Sequence, residues 1–177
     1  DFVSIDNYQG GYNAGKFIVD SGYTEIGYVV SNRIITNFLK RREGFRAALK
    51  EKNIEVPSDF VFSLNPTELK GTLPEFFYSG QEYPHAIFCE DDYMALRLVK
   101  ELTRIGTKIP EKVAIMGFDD IFEDTMINPE LTTIHVPIEQ IVRQAINQLQ
   151  EKVSNSSWLS QKSFVSTKLI VRESLKL

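Results

Sequence analysis

The sequence predicts an α/β fold built on a doubly wound, mostly parallel sheet with helices on both faces. Short β-branched and aromatic runs alternate with amphipathic stretches of helix length, and this pair recurs roughly every 25 to 30 residues. Several of the short runs are apolar without alternation, which is typical of strands covered on both faces. Right-handed crossovers between such strands place the intervening helices on both sides of the sheet.

Six runs are strand candidates, and five stretches are helix candidates. Strands are expected at 2–5, 26–30, 60–64, 86–89, 113–118 and 164–171. Helices are expected at 8–21, 37–52, 66–78, 93–105 and 138–153. Asp6 and Asn7 are N-cap candidates for the first helix, and Gly22 marks its end. Gly71 and Pro74 predict that the third helix is short or bent.

Composition and charge exclude several classes of protein. The chain has 177 residues, 42% of them hydrophobic and 25% charged, as in soluble globular domains. No apolar run approaches the roughly 20 residues that span a bilayer, so no membrane partner is expected. A net charge of −4 makes the chain a poor DNA binder by itself, because DNA affinity depends on neutralising phosphates. Since the chain opens without Met in a strand candidate, and without a signal peptide, we expect it to be a fragment.

Polar residues follow the predicted strands, where an open parallel sheet binds its ligands. They are Ser31, Asn32, Asn65, Glu90, Asp91, Asp92, Asp119 and Asp120. Most of these groups accept hydrogen bonds, and none forms a convincing nucleophile–base pair. His85 and His135 lie far apart in the sequence, and no Cys/His spacing typical of zinc occurs. We therefore expect neither an enzyme nor a cofactor.

Each charged candidate also has a plainer interpretation. Asp119 and Asp120 could bind a metal, accept a phosphoryl group or cap the next helix. Asp91 and Asp92 precede a predicted helix, so at least one of them is expected to be its N-cap. Arg41 lies on a helix with a basic outer face, where a solvated surface charge is the default interpretation.

The glycines and the single cysteine are interpreted structurally. Gly10, Gly11 and Gly15 fall within a predicted helix rather than in a strand-to-helix turn, so helix packing explains them better than a phosphate-binding loop. Cys89 lies in an apolar run and is expected to be a buried thiol.

Several segments follow one known pattern over nearly the whole chain. They are Val3-Ser4-Ile5-Asp6-Asn7 with Gly10-Gly11, Arg41 with Gly44-Phe45, Phe88-Cys89-Glu90-Asp91-Asp92 with Met94-Ala95, Gly117-Phe118-Asp119-Asp120 with Leu131-Thr132-Thr133, and the closing run 169–174. In this order they resemble the LacI/GalR family of bacterial repressors. The resemblance implies two Rossmann-like subdomains around a cleft, as in type I periplasmic binding proteins.

The resemblance also implies a division of the chain. Residues 1–135 would form the C-terminal subdomain of the effector-binding core, and 164–177 a strand that returns to it. Residues 136–163 would be an excursion helix that packs in a missing N-terminal subdomain. We expect its apolar stripe either to fold against this domain or to be buried by another copy. The helix-turn-helix that binds DNA is absent.

Four residues are expected to bind the effector, a sugar or related small polar molecule. Asp119 and Arg41 match family residues that contact ligand hydroxyls. Asp91 stands where the family commonly has Asn, which removes two amide donors. Asn37, four residues before Arg41, is the fourth candidate.

A subunit interface is implied as well. Met94, Leu98, Leu102 and Ile127 match the family's dimer contacts, so a homodimer of the intact protein is expected. The alternative is that this face is simply core.

The sequence therefore predicts the sensing domain of a cytoplasmic LacI-type transcriptional repressor that binds without catalysis. Operator DNA would be a partner of the intact protein, through its missing N-terminal domain. A sugar-binding protein of a transport system is the alternative, and an upstream secretion signal would favour it. A metal-dependent α/β enzyme that uses Asp119 and Asp120 is a more distant one.

Overall fold

Strands and helices alternate along the chain, as predicted. The computed structural model describes residues 1–65 and 73–176. Within these ranges the elements are β1 (Phe2–Ile5), α1 (Asn7–Asp20), β2 (Ile26–Ser31), α2 (Thr36–Lys50), β3 (Val61–Leu64), β4 (Ala86–Cys89), α3 (Asp92–Arg104), β5 (Ala114–Met116), β6 (Thr133–His135), α4 (Ile138–Ser154), β7 (Lys162–Val165) and β8 (Lys168–Ile170). Most of the helix predicted at 66–78, with Gly71, lies outside the described residues. Its described end is a 3-10 turn, Glu75–Tyr78.

A parallel sheet in the order β3-β2-β4-β5 lies at the centre of the fold. Side chains along these strands alternate between two buried faces. Val29 and Ile87 belong to a core shared with α3, whereas Tyr28 and Phe88 belong to a core shared with α1 and α2. Both faces are therefore covered, and the predicted doubly wound α/β fold is confirmed.

Carboxylates fix the starts of two helices. Asp6 accepts a hydrogen bond of 2.9 Å from the backbone N–H of Gln9 and caps α1, as predicted. Asp91 accepts one of 2.8 Å from the N–H of Met94 and caps α3. The N-cap interpretation of Asp91 is thus confirmed.

Two glycines allow α1 and α2 to cross with their backbones in contact. A Cβ on Gly11 would overlap the carbonyl oxygen of Arg41, and a Cβ on Gly44 would overlap that of Tyr8. Gly11 therefore allows the two helices to pack closely, as the sequence indicates. The contact holds the start of α1 against the middle of α2.

The single late strand predicted at 164–171 is wrong, because two strands occupy this region. β7 pairs parallel with β1, whereas β8 pairs antiparallel with β6. The run is continuously strand-like in sequence, and only its pairing partners distinguish the two halves. β1 is consequently absent from the central sheet and forms a separate pair with β7, beside α4. The subdomain boundaries at 135 and 163 stay a prediction.

Three of the predicted interface residues are core residues. Met94 is 1% exposed, and Leu98 and Leu102 are fully buried between α3 and the sheet. The prediction that they form a dimer interface is wrong, because side chains enclosed within one chain present no surface to a second copy. Ile127 is only partly buried against the same core, and its interface role stays a prediction.

The apolar stripe of α4 does not fold against the rest of the described chain. Ile141 is partly buried against the core, but five other members keep half or more of their surface exposed: Ile138 61%, Val142 50%, Ile146 50%, Leu149 61% and Val153 81%. The expectation that this stripe folds against the domain is therefore wrong.

Across residues 1–65 and 73–176, no helix combines the length and hydropathy needed to cross a membrane.

Candidate functional site

Arg41 and Asp119 meet at the carboxyl edge of the central sheet. Nη2 of Arg41 donates to Oδ1 of Asp119 at 3.0 Å. Nε donates to Oδ1 of Asn7 at 2.9 Å, and Nη1 to the carbonyl oxygen of Glu90 at 2.6 Å. The guanidinium also lies 3.7 Å from the ring centroid of Phe118. Two predicted site residues, far apart in sequence, are thus in direct contact.

Arg41 is not the solvated surface charge that its helix alone suggests. Its side chain is 8% exposed, and each of its nitrogens donates to an acceptor within the chain. The close crossing of α1 and α2 brings Asn7 within reach of it. Arg41 therefore orients Asp119 and retains few donors for any other molecule.

Asp119 is the more accessible member of the pair, with a side chain that is 34% exposed. Its φ of 130° is a left-handed conformation that residues other than glycine seldom adopt. Burial raises the pKa of Asp119 to about 7; Arg41 opposes this rise, and the charges of Asp92 and Asp91 add to it. Neither Asp119 nor Asp120 is a helix cap, because Ile121 holds that position before the next turn.

Asp91 lies close enough to influence Asp119, but it is itself enclosed. It is 6% exposed, and its carboxylate caps α3. Burial raises its pKa. The predicted contact between Asp91 and a ligand therefore competes with a structural role.

A second layer of carboxylates underlies the loop that carries Asp119. Asp92 is fully buried and accepts hydrogen bonds from the N–H of Asp120 at 2.6 Å and the hydroxyl of Thr133 at 2.7 Å. Burial raises the pKa of Asp92 and of the neighbouring Asp124, and the charge of Asp124 raises that of Asp92 further. No group of three or more His, Cys, Asp or Glu among the described residues is arranged to hold a metal ion.

Asp120 ties the same loop to the end of the chain. It accepts from Nη2 of Arg172 at 2.5 Å and contacts Nδ1 of His135 at 2.8 Å. Arg172 also donates to the carbonyl oxygen of Leu131 at 2.7 Å. Arg172 has no role predictable from the sequence, although it lies in the closing segment that carries part of the resemblance.

Glu90 is a further residue whose structural role could not be predicted from the sequence. It is fully buried, and it accepts from the hydroxyl of Tyr28 at 2.8 Å, the N–H of Ser31 at 2.6 Å and Nε of Arg42 at 3.0 Å. The available signal was a carboxylate directly after an apolar strand, where a buried charge requires partners.

Two open pockets flank the Arg41–Asp119 pair. The first, of about 710 Å³, is lined by Asp119, Asp120, Ile121, Phe122, His135, Val136, Pro137, Ile138, Glu139 and Gln140. The second, of about 520 Å³, is lined by residues that include Phe2, Asn7, Asn37, Lys40, Lys162 and Phe164. Asn37 is exposed and lines only the second pocket, so the structure does not place it beside Asp119.

Comparisons with known proteins identify similar chains. A family model described as a periplasmic binding protein-like domain matches residues 16–175. The HTH-type transcriptional repressor PurR of Mannheimia succiniciproducens is 29% identical over 178 residues, which cover 99% of this chain and 53% of that repressor. The chain thus spans about half the length of the curated relatives it matches.

Solved structures give the same result. The LacI family transcriptional regulator from Enterococcus faecium with bound ribose is 26% identical, with a TM-score of 0.82 over 98% of this chain and 65% of that one. The periplasmic binding protein/LacI transcriptional regulator from Alkaliphilus metalliredigens, complexed with D-xylulofuranose, is 25% identical, with a TM-score of 0.85 over 99% and 65%.

Proposed function

This chain belongs to the periplasmic binding protein-like domain family, and from that membership we propose that it is the effector-sensing part of a LacI-type transcriptional repressor. The resemblance to LacI/GalR repressors noted in the sequence is confirmed by these matches. The curated relatives are repressors, which favours this role over transport or catalysis.

The observation that carries the proposal is the Arg41–Asp119 pair beside an open pocket at the carboxyl edge of the sheet. Asp119 offers carboxylate oxygen to ligand hydroxyls, and Arg41 holds it in position. Phe122, 78% exposed, provides an apolar surface against which the C–H groups of a sugar ring can pack. A sugar is therefore the proposed effector, and similar regulators hold ribose and D-xylulofuranose.

The roles of the whole protein follow from its repressor relatives. We place its DNA contacts in a separate helix-turn-helix domain and the protein in the cytoplasm, where an operator is accessible. We also propose that the intact protein is a homodimer. Effector binding would act by favouring one of two conformations with different affinity for the operator.

The exposed stripe of α4 fits the same proposal. We assign residues 136–163 to a second subdomain, whose remaining strands would cover Ile138, Ile146 and Leu149 in the intact protein. We extend this second subdomain to β1 (Phe2–Ile5) and the whole of β7 (Lys162–Val165), because these strands pair with each other beside α4.

The experiment that tests the function uses the intact protein and its operator. Pentoses and hexoses, with D-ribose first, are screened for a change in operator affinity, and the active sugar is tested on Asp119→Ala. We expect that variant to bind operator normally but to lose its response to the sugar. The exposed Asp59→Ala is the matched control. An unchanged response would contradict the site, and loss of operator binding in the variant alone would make Asp119 structural.

A further inference from the structure

The donors of Arg41 are largely committed within the chain. Nε, Nη1 and Nη2 donate to Asn7, Glu90 and Asp119 at 2.9, 2.6 and 3.0 Å. One face of the guanidinium is covered by the Phe118 ring, whose centroid lies 3.7 Å away. An incoming ligand thus meets a cation whose charge is already neutralised by Asp119.

The pocket beside this pair is acidic. Its lining includes the carboxylates of Asp119, Asp120 and Glu139, and no Lys or Arg among the described residues lines it. Arg172, a further cation at this loop, donates to Asp120 at 2.5 Å and is 15% exposed. His135 is also engaged by Asp120, through Nδ1 at 2.8 Å.

We propose that Asp119 selects ligands by charge: by occupying Arg41 it excludes anions, so that the effector of this site is an uncharged polyhydroxylated molecule rather than its phosphorylated form. That the ligand acts as an effector depends on the proposed function. The exclusion of anions depends only on this chain. It makes Asp119 a specificity-determining residue as well as a hydrogen-bond acceptor.

The physical reason lies in what each ligand must displace. A phosphate requires charge-assisted donors, but the charge of the Arg41 guanidinium is already shared with Asp119, and only the second N–H of Nη1 and of Nη2 stays uncommitted. A phosphate that takes over this charge would leave the partly exposed carboxylate of Asp119 next to a second anion. A hydroxyl instead donates to Asp119 and leaves the ion pair in place.

A second region attracts anions, and an experiment must distinguish it from the first. Lys40 and Lys162 line the neighbouring pocket, and Lys40 is already paired with Glu43 at 2.7 Å. Phosphate near these lysines would leave the guanidinium of Arg41 unaffected. The side-chain Nε–H signal of Arg41 in an NMR spectrum is therefore the appropriate reporter.

The test titrates inorganic phosphate into the 177-residue chain at pH 8, above the pKa of Asp119, and compares it with Asp119→Asn. Asparagine keeps the shape of the side chain and removes its charge. We expect the Arg41 signal of the unmodified chain to stay in place up to about 10 mM phosphate, and that of Asp119→Asn to shift with an affinity at least about tenfold higher. Asp59→Asn, at an exposed position, should behave as the unmodified chain does.

Two outcomes would overturn the proposal. One is a phosphate-dependent shift of Arg41 in the unmodified chain, and the other is no gain in Asp119→Asn. If Asp119→Asn fails to fold, as judged by its remaining amide signals, Asp119→Ser serves in its place. Because neither DNA nor effector is present, a failure here is distinguishable from a failure of the proposed repressor function.

Discussion

The hydroxyl of Thr133 donates a hydrogen bond of 2.7 Å to Oδ1 of Asp92, and so joins β6 to the first turn of α3. Both residues are fully buried. The other carboxylate oxygen of Asp92 accepts from the N–H of Asp120, at 2.6 Å. This carboxylate therefore fixes the conformation of the loop that presents Asp119.

Removing the Thr133 hydroxyl should destabilise the chain. Thr133→Val leaves a buried carboxylate short of a donor, and the free energy of unfolding should fall by about 1–3 kcal/mol in urea denaturation. Thr133→Ser keeps the hydroxyl and should lose clearly less. A loss in Thr133→Val no larger than that in Thr133→Ser would contradict a dominant contribution from the hydrogen bond.

Asp124→Asn should stabilise the chain at high pH. Asp92 and Asp124 are both fully buried, and burial raises the pKa of each, so the pair is most stable while it retains a proton. An amide at 124 can donate to Asp92 without that proton. We expect a gain of about 1 kcal/mol at pH 8 that shrinks toward pH 5.

Asp124→Ala is the matched control for that substitution. It removes the repulsion between the two carboxylates but supplies no donor and leaves a cavity. It should therefore be less stable than Asp124→Asn at every pH in thermal denaturation. A destabilised Asp124→Asn at pH 8 would contradict the repulsion between the two carboxylates.

Asp119 should make stability decline as pH rises. Its pKa of about 7 in the folded chain exceeds the ordinary value of 3.8, so the folded state binds the proton more tightly. The resulting stabilisation is complete below about pH 4 and is lost as the pH approaches 7. Between these limits, the decline in the free energy of unfolding should be smaller in Asp119→Asn, by about 1 kcal/mol. A decline of the same size in both proteins would contradict the raised pKa.

Two leucines on the apolar faces of predicted helices differ in how far they are buried. Leu98 of α3 is fully buried, so Leu98→Ala should lower the free energy of unfolding by about 2–5 kcal/mol. Leu149 of α4 is 61% exposed, and Leu149→Ala should change it by no more than about 0.5 kcal/mol. Urea denaturation of both variants checks this difference. A mild effect of Leu98→Ala would restore the interface prediction for that face.

Local signals explain why the helices could be predicted well. The sequence predicts α1 at 8–21 and the helix occupies Asn7–Asp20, because Asp6 caps it and Gly22, with a φ of 90°, comes one residue after its end. Both features depend on neighbours in sequence. Periodicity likewise predicts that α3 and α4 each have an apolar face. It does not predict whether this chain or another part of the protein covers that face.

Pairing and long-range contacts could not be predicted in the same way. The division between β7 and β8 depends on partners at opposite ends of the chain, β1 and β6. Arg41 and Asp119 were identified through motifs, whereas the bond between Arg42 and Glu90 joins residues whose spacing carries no pattern. Burial of Glu90 decides its role, and burial becomes known only with the fold.

The backbone contact between α1 and α2 has a consequence for the entropy cost of binding at the proposed site. With Gly11 and Gly44 at the crossing, the two backbones are in direct contact there, and no side chain of these two residues separates them. Asn7 and Arg41, joined at 2.9 Å across that crossing, therefore behave as parts of one rigid body. The entropy lost in aligning them is spent during folding and not during association. A ligand at the proposed site would thus meet a preorganised surface.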